Sequence, residues 1–290
     1  MRVIMKPPDN SHQDPADMTP AETAENQQRW NAFGIARQLD MAQHPERFRI
    51  STCPLKNREF YQEFLDLVSP LTGKRLLELG SGRGDLSVWL AQHGATVTAV
   101  DLGHDLVSAA AQLATLNGVS CDFRQGNISD LTGIDSDAFD VVVGIAVLHH
   151  LPEAEVLRTI QECHRVLKPG GVAVFVETME NSRWFDLLQK LFPAGRRNSP
   201  YYRPSILNRR RWKEYVAALD ERAMTNKELL SVSQGLFRMT RITGYGFLIR
   251  LARLFGPSSA ESLMAIDRFL FRFLPPLRRY CRMALVVYTK

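Results

Sequence analysis

The chain has 290 residues, 45% hydrophobic and 23% charged, the balance of an ordinary folded protein. No run approaches the ~18 uncharged apolar residues of a membrane-spanning helix. The opening MRVIMKPPDNSHQDP has no apolar stretch of secretory length, so a cytoplasmic location is expected. The net charge of +5 is unevenly spread. Residues 181–290 carry 21 Lys and Arg against 7 Asp and Glu, while the first 180 residues are net acidic. Such segregation turns the C-terminal third toward something anionic, or leaves it as Arg-rich solvated helices. Cys53, Cys121, Cys163 and Cys281 lie far apart with no ligand spacing, so neither a metal site nor a disulfide framework is expected.

Residues 1–22 are polar and rich in Pro, Asp, Asn and Gln, and predict a disordered tail. Helical patterning follows over 22–39 and again over 58–71, where Phe60, Phe64 and Leu67 share a face. The run Arg75–Leu79 reads as a buried strand ending in a glycine-rich turn. After it come a helix at Leu86–His93, a strand at Ala95–Asp101, a helix at Leu106–Leu116 and a weak strand at Cys121–Gln125. Phe139–Ile145 is a strongly apolar strand, Glu153–Val166 a helix and Val172–Glu177 a further strand. Strands alternating with helices of this length predict βαβ units and a mostly parallel sheet. Both faces of such a sheet are covered, which accounts for the unbroken Val141-Val142-Val143. Beyond Glu177, residues 178–205 mix Trp184, Phe192, Tyr201 and Tyr202 with Pro, Gly and Arg, and suit a lid. Helices at 209–223 and 226–233, a strand at 237–243, amphipathic helix over 246–280 and a strand at 283–288 complete the chain.

The turn Glu78-Leu79-Gly80-Ser81-Gly82-Arg83-Gly84 joins a strand to a helix. Glycines there let a ligand pack against bare backbone, and the helix start offers free N–H groups. A dinucleotide turn would read G-x-G-x-x-G, but here Asp85 takes the last position. Glu78 would repel a pyrophosphate, yet it suits the ammonium of an amino-acid-like cofactor. Asp101, ending the second strand, can accept hydrogen bonds from ribose hydroxyls.

With these features residues 74–177 resemble the class I S-adenosylmethionine-dependent methyltransferases of the small-molecule branch. The motifs are Leu77–Gly84, Asp101, Phe139-Asp140-Val141-Val142, Leu148-His149-His150-Leu151-Pro152 and Arg165–Gly171, in order. The resemblance implies a Rossmann-like α/β fold: a seven-stranded, mostly parallel sheet with helices on both faces. It also implies N-terminal helices over 23–73 covering the cofactor site, a lid, extra helices and the last two strands over 178–290, and S-adenosylmethionine as cofactor. The cofactor residues it implies are Glu78, Gly80, Ser81, Gly82, Gly84, Asp101 and Leu102, with Gly144 and Ala146 cradling the methionine. The family's Gly-Asp after the third strand is Gly126-Asn127 here; Asn127 can still accept from the adenine amine, with Ile128 flanking the ring.

Methyl transfer from a sulfonium needs alignment and, for a hydroxyl acceptor, removal of a proton. His150 is the expected base, with His149 beside it and Glu177 pointing into the same crevice from the end of the fifth strand. An alkene acceptor would instead make Glu177 the proton acceptor. The expected reaction is O-methylation of a small, amphiphilic or anionic metabolite. C-methylation of an isoprenoid diphosphate and RNA methylation are the alternatives, and no DNA partner is expected. Arg196-Arg197 and Arg209-Arg210-Arg211 suit a phosphate or carboxylate. The basic amphipathic stretches 246–255 and 269–274 can lie in a membrane interface. Packing over the active site or in a homodimer is the simpler account.

Overall fold

The computed structural model describes residues 20–180, 191, 205–217, 222–249 and 259–290. Its strands are β1 (Arg75–Leu79), β2 (Thr96–Asp101), β3 (Asp122–Gln125), β4 (Phe139–Ile145), β5 (Leu167–Thr178), β6 (Met239–Tyr245) and β7 (Met283–Thr289). They form one sheet in the order β3-β2-β1-β4-β5-β7-β6. Strands β1 to β5 pair in parallel, and β7 runs antiparallel between β5 and β6. Helices α1 (Pro20–Gln43), α2 (Tyr61–Val68), α3 (Asp85–Gln92), α4 (His104–Leu116) and α5 (Glu153–Val166) belong to the first half. Helices α6 (Arg209–Ala217), α7 (Asn226–Ser231) and α8 (Ala260–Phe273) belong to the second.

The two-residue period of a strand sends neighbouring side chains to opposite faces. Val142 and Phe175 pack with Val156, Ile160 and Cys163 of α5, while Val141, Val143 and Val174 pack with Phe64 of α2 and Leu90 of α3. All are buried, each valine contributing about 1.5–3 kcal/mol, which is why β4 shows no polar alternation. The same period puts Glu78 on the α3 face and Glu177 on the α5 face. The amino ends of the strands are fastened separately: Asp140 accepts from the Arg75 backbone N–H at 2.8 Å and from Lys168 Nζ at 2.8 Å. A cleft of about 300 Å³ lies at that end, lined by Arg75, Thr96, Asp122 and Phe139 among others. It is on the edge opposite the glycine turn.

The parallel strands all end at one edge, where open α/β sheets hold ligands. Glu177 is level with Ala284, and Ala284 with Gly244, so β6 also ends there and β7 begins there. The segment between β6 and β7 therefore leaves from and returns to the edge that carries the glycine turn. Helix α1 lies against α4 and reaches the same edge. Arg37 pairs with Asp85 at 2.7 Å, Gln38 Nε2 donates to the Asp105 carbonyl at 2.9 Å, and Gln27 Nε2 donates to the Leu102 carbonyl at 3.4 Å.

Several boundaries differ from expectation. The first helix starts at Pro20, inside the expected tail; residues 1–19 lie outside the described residues. Helix α2 is shorter than the predicted 58–71 because Cys53–Phe60 forms turns and Ser69-Pro70 ends it. Strand β5 begins at Leu167, since the ladder already pairs Leu167 with Phe139 before a register shift. Strand β6 lies two residues later than predicted. The long amphipathic stretch resolves into α8 and a 3-10 helix, Pro275–Tyr280, while residues 250–258 lie outside the described residues. Of the expected lid, Trp184, Phe192, Arg196, Arg197, Tyr201 and Tyr202 also lie outside them. Arg209, Arg210 and Arg211 open α6 and are exposed.

Candidate functional site

The glycine turn is tied to the end of β2. Gly80 N–H donates to the Val100 carbonyl at 2.8 Å, and Gly82 N–H donates to Asp101 Oδ2 at 2.7 Å. Gly80, Gly82 and Gly84 have φ of 65°, 50° and 77°, values that exclude ordinary side chains. Gly84 serves as N-cap of α3 without a side-chain cap of its own, and Glu78 takes the Ser87 N–H of the first turn. A Cβ at Gly82 would meet nothing within 4 Å, which marks open space beside bare backbone. The Ser81 hydroxyl is buried yet bonds to nothing. A buried orphan hydroxyl beside open, bare backbone leaves the turn with a polar group to offer a ligand.

Around the turn, Asp101 is buried, and its second oxygen accepts from Gly103 N–H at 3.0 Å. Burial raises its pKa above the ordinary value. Each carboxylate oxygen keeps a further lone pair for a ribose hydroxyl. Leu102, half-buried, turns its carbonyl to Gln27. Asn127 Oδ1 accepts from Ser129 N–H at 3.0 Å, which orders the loop after β3, and Ile128 is buried against the core. Glu78 lies beneath α3, where its carboxyl accepts from the Ser87 hydroxyl; burial raises its pKa to about 8. Ser87 carried no signal in the sequence, because the partnership depends on how α3 packs.

The loop after β4 is built on strain and close packing. Gly144 is glycine because a Cβ there would lie 2.5 Å from the Phe175 ring. Ala146 holds φ of 56° and is exposed, an unusual conformation for a residue with a side chain. Past it, Leu148–His150 forms a 3-10 helix whose start is gripped by Glu177. The fully buried Glu177 accepts from Val147 N–H at 3.0 Å and Leu148 N–H at 2.8 Å through Oε1. Its Oε2 lies 2.7 Å from His149 Nδ1. A carboxylate there fixes the proton on Nδ1 and the lone pair on Nε2 of His149. His149 is 5% exposed. The half-buried His150 stacks beside it with ring centroids 4.1 Å apart. Trp30 of α1, missed in the sequence, meets His150 edge-on at 5.8 Å. The structure thus gathers His149, His150 and Glu177 at one point, beside the β1 turn because β4 pairs with β1. Among the described residues, no group of three or more His, Cys, Asp or Glu could hold a metal. No helix among them is long and apolar enough to cross a membrane.

Known proteins resemble this chain in sequence and fold. A family model described as a methyltransferase domain matches residues 77–175. A ubiquinone biosynthesis O-methyltransferase of Pseudomonas syringae pv. tomato is 35% identical over 153 residues, covering 50% of this chain and 65% of that protein. Its counterpart in Hahella chejuensis is 34% identical over 140 residues, covering 46% and 58%. The chain thus spans less than two thirds of the length of either relative. Among solved structures, the magnesium protoporphyrin IX methyltransferase of Synechocystis, with bound SAH, is similar at a TM-score of 0.52 and 14% identity over 92% of this chain and 99% of that one. An S-adenosylmethionine dependent methyltransferase of Mesorhizobium loti gives 0.51 and 18% identity, over 81% and 100%. These likenesses show the fold, and the family model adds the motifs. Residues 77–175 of this chain thus match a methyltransferase domain, on a fold shared with S-adenosylmethionine-dependent methyltransferases.

Proposed function

We propose that the chain transfers a methyl group from S-adenosylmethionine to an oxygen of a small-molecule acceptor, with His150 as the proton acceptor. The observation that carries this reading is the stack of His150 on the Glu177-anchored His149, one strand away from the orphan Ser81 hydroxyl. The cofactor supplies an electrophilic methyl on a sulfonium. The backbone of Gly80–Gly84 and the Ser81 hydroxyl would hold its amino-acid part, with the buried Glu78 carboxyl beneath the turn. Asp101 would take the ribose, Leu102, Asn127 and Ile128 the adenine, and Gly144 and Ala146 the wall near the methyl. Helix α1 covers this site, since Gln27, Arg37 and Gln38 bond to the loops that would hold it.

The chain's own chemistry is deprotonation. His150, more open than His149, takes the hydroxyl proton, and the nearby Glu177 carboxylate offsets the imidazolium charge that results. His149 acts one step behind, as a spacer whose tautomer Glu177 sets. The O-methyltransferase names of the relatives support oxygen as the acceptor atom, and ubiquinone precursors are the first acceptors to screen.

Calorimetric titration tests the cofactor half. The purified chain is expected to bind S-adenosylmethionine and not NADH, and Asp101→Ala to weaken binding by roughly tenfold or more, the loss of a charged hydrogen-bond pair. Failure to bind S-adenosylmethionine overturns the reading. The base is tested by turnover: His150→Ala is expected to lower kcat by about 10²–10⁴ with cofactor affinity retained.

A further inference from the structure

Helix α8 buries Leu263, Asp267 and Phe271 on one face, and the Asp267 carboxylate accepts from the Leu248 backbone N–H at 2.9 Å. Its other face is apolar where solvent would call for polar residues. Phe269 is 63% exposed and Phe273 64%, with Ile266 and Leu274 exposed beside them. The spacing 266, 269, 273 makes one continuous stripe, and the two phenyl rings touch with centroids 5.0 Å apart. Arg268 and Arg272, four residues apart, form a row along the flank of that stripe. Arg279, in the following 3-10 helix, is also exposed. Only Glu261, in the first turn, opposes these charges on the exposed face of α8.

From this arrangement we infer that α8 is a docking surface for an anionic lipid bilayer, lying in the interface with Phe269 and Phe273 inserted and Arg268, Arg272 and Arg279 on the headgroups. An apolar stripe edged by arginine is complementary to a layer of acyl chains beneath negative headgroups. Charge decides against a second copy, because the same arginine row would meet itself. Phe269 and Phe273 could each stack on a base, but Ile266 and Leu274, which widen the same stripe, fit acyl chains and not a nucleic acid. The strand register adds direction. Both ends of the segment bearing α8 meet the sheet at the edge that carries His149 and Glu177. Docking on α8 therefore brings the mouth of the site close to the bilayer, where an amphiphilic acceptor would enter. That last consequence rests on the proposed function; the docking itself does not.

Vesicle flotation of the full chain tests it without acceptor or cofactor. The chain is expected to float with phosphatidylcholine vesicles containing about a third phosphatidylglycerol, and to stay behind with phosphatidylcholine alone. The variants Phe269→Ser/Phe273→Ser and Arg268→Gln/Arg272→Gln/Arg279→Gln are each expected to lose roughly tenfold of that partition. Near-UV circular dichroism checks that both variants stay folded. Phe269→Trp gives a separate readout: its emission should shift to the blue on adding the anionic vesicles. No flotation, flotation that survives the phenylalanine double variant, or a tryptophan without a blue shift each overturns the inference. So does a dimer in analytical ultracentrifugation that the phenylalanine variant dissolves, or RNA that binds and displaces the vesicles.

Discussion

Gly34→Ala is a sharp test of how α1 is attached. Inside a helix, alanine is favoured over glycine by about 1 kcal/mol, so local propensity predicts a gain in stability. The packing predicts the opposite. A Cβ at Gly34 would lie 2.2 Å from the Asp105 carbonyl carbon, 2.4 Å from the Leu106 nitrogen and 2.5 Å from the Asp105 oxygen, all backbone atoms that cannot swing aside. Reaching ordinary contact at 3.4 Å moves α1 outward by about 1.2 Å. The bonds Arg37–Asp85 at 2.7 Å, Gln38 to Asp105 at 2.9 Å and Asp105 to Asn31 at 3.3 Å then stretch toward or past hydrogen-bond range. Each contributes about 0.5–1.5 kcal/mol, so losing two or three cancels the propensity gain at the least and outweighs it by up to roughly 3.5 kcal/mol. The two clusters on the faces of the sheet are untouched and only the small one that holds Met41 against Val88, Ala109 and Leu113 opens, so the loss is local. Limited proteolysis within α1 should accelerate, and S-adenosylmethionine affinity should fall by about tenfold per 1.4 kcal/mol lost. A variant with raised Tm, unchanged cleavage and unchanged affinity would refute the reasoning: α1 would be an ordinary surface helix.

Three further outcomes are expected. Glu177→Gln keeps the size but puts an amide N–H₂ toward His149 or toward two backbone donors. It should lower Tm by several degrees, about 1–3 kcal/mol of buried hydrogen bonding, and reduce kcat far more than it changes cofactor affinity; equal kcat in the variant would deny the pair any role in catalysis. Gly144→Ala drives a methyl into Phe175 and should destabilise by about 1–3 kcal/mol, read as a fall in Tm. Burial raises the Glu59 pKa to about 7 and the Glu78 pKa to about 8, so the folded state holds both protons more tightly than the unfolded chain does. The stability they contribute is full below the ordinary carboxylate range and is lost as pH climbs through 7 and 8. Tm measured from pH 5 to pH 9 should therefore fall less steeply in Glu59→Gln and in Glu78→Gln than in the parent, and parallel curves would contradict the burial argument.

The parallel core was legible because its strands are buried on both faces and so read as unbroken apolar runs. The pairing of His149 with Glu177 was within reach for a similar reason: both follow strands that end at one edge. What the chain did not announce are contacts set by helix packing. Trp30 reaches His150 and Arg37 reaches Asp85 only because glycine at 34 lets α1 settle on α4, and no local spacing encodes that. Glu78 likewise looked available to a ligand until its face of β1 was known to lie under Ser87. The boundaries that slipped, at α2 and β6, are where turns and an edge strand weaken the periodic signal.

The position of β7 also bears on how the chain is made. Its residues, 283–289, sit between β5 and β6, although both of those are synthesised earlier. Until β7 is free to pair, β5 has an open edge of Val174 and Val176, and among the described residues β6 has no strand neighbour. Two unsatisfied edges on one nascent chain invite a direct β5–β6 ladder, a mispairing that must be undone before β7 can insert. Assembly of this half of the sheet is thus gated by the arrival of seven residues, and the interval before they pair is the one in which the chain is open to chaperones or to aggregation.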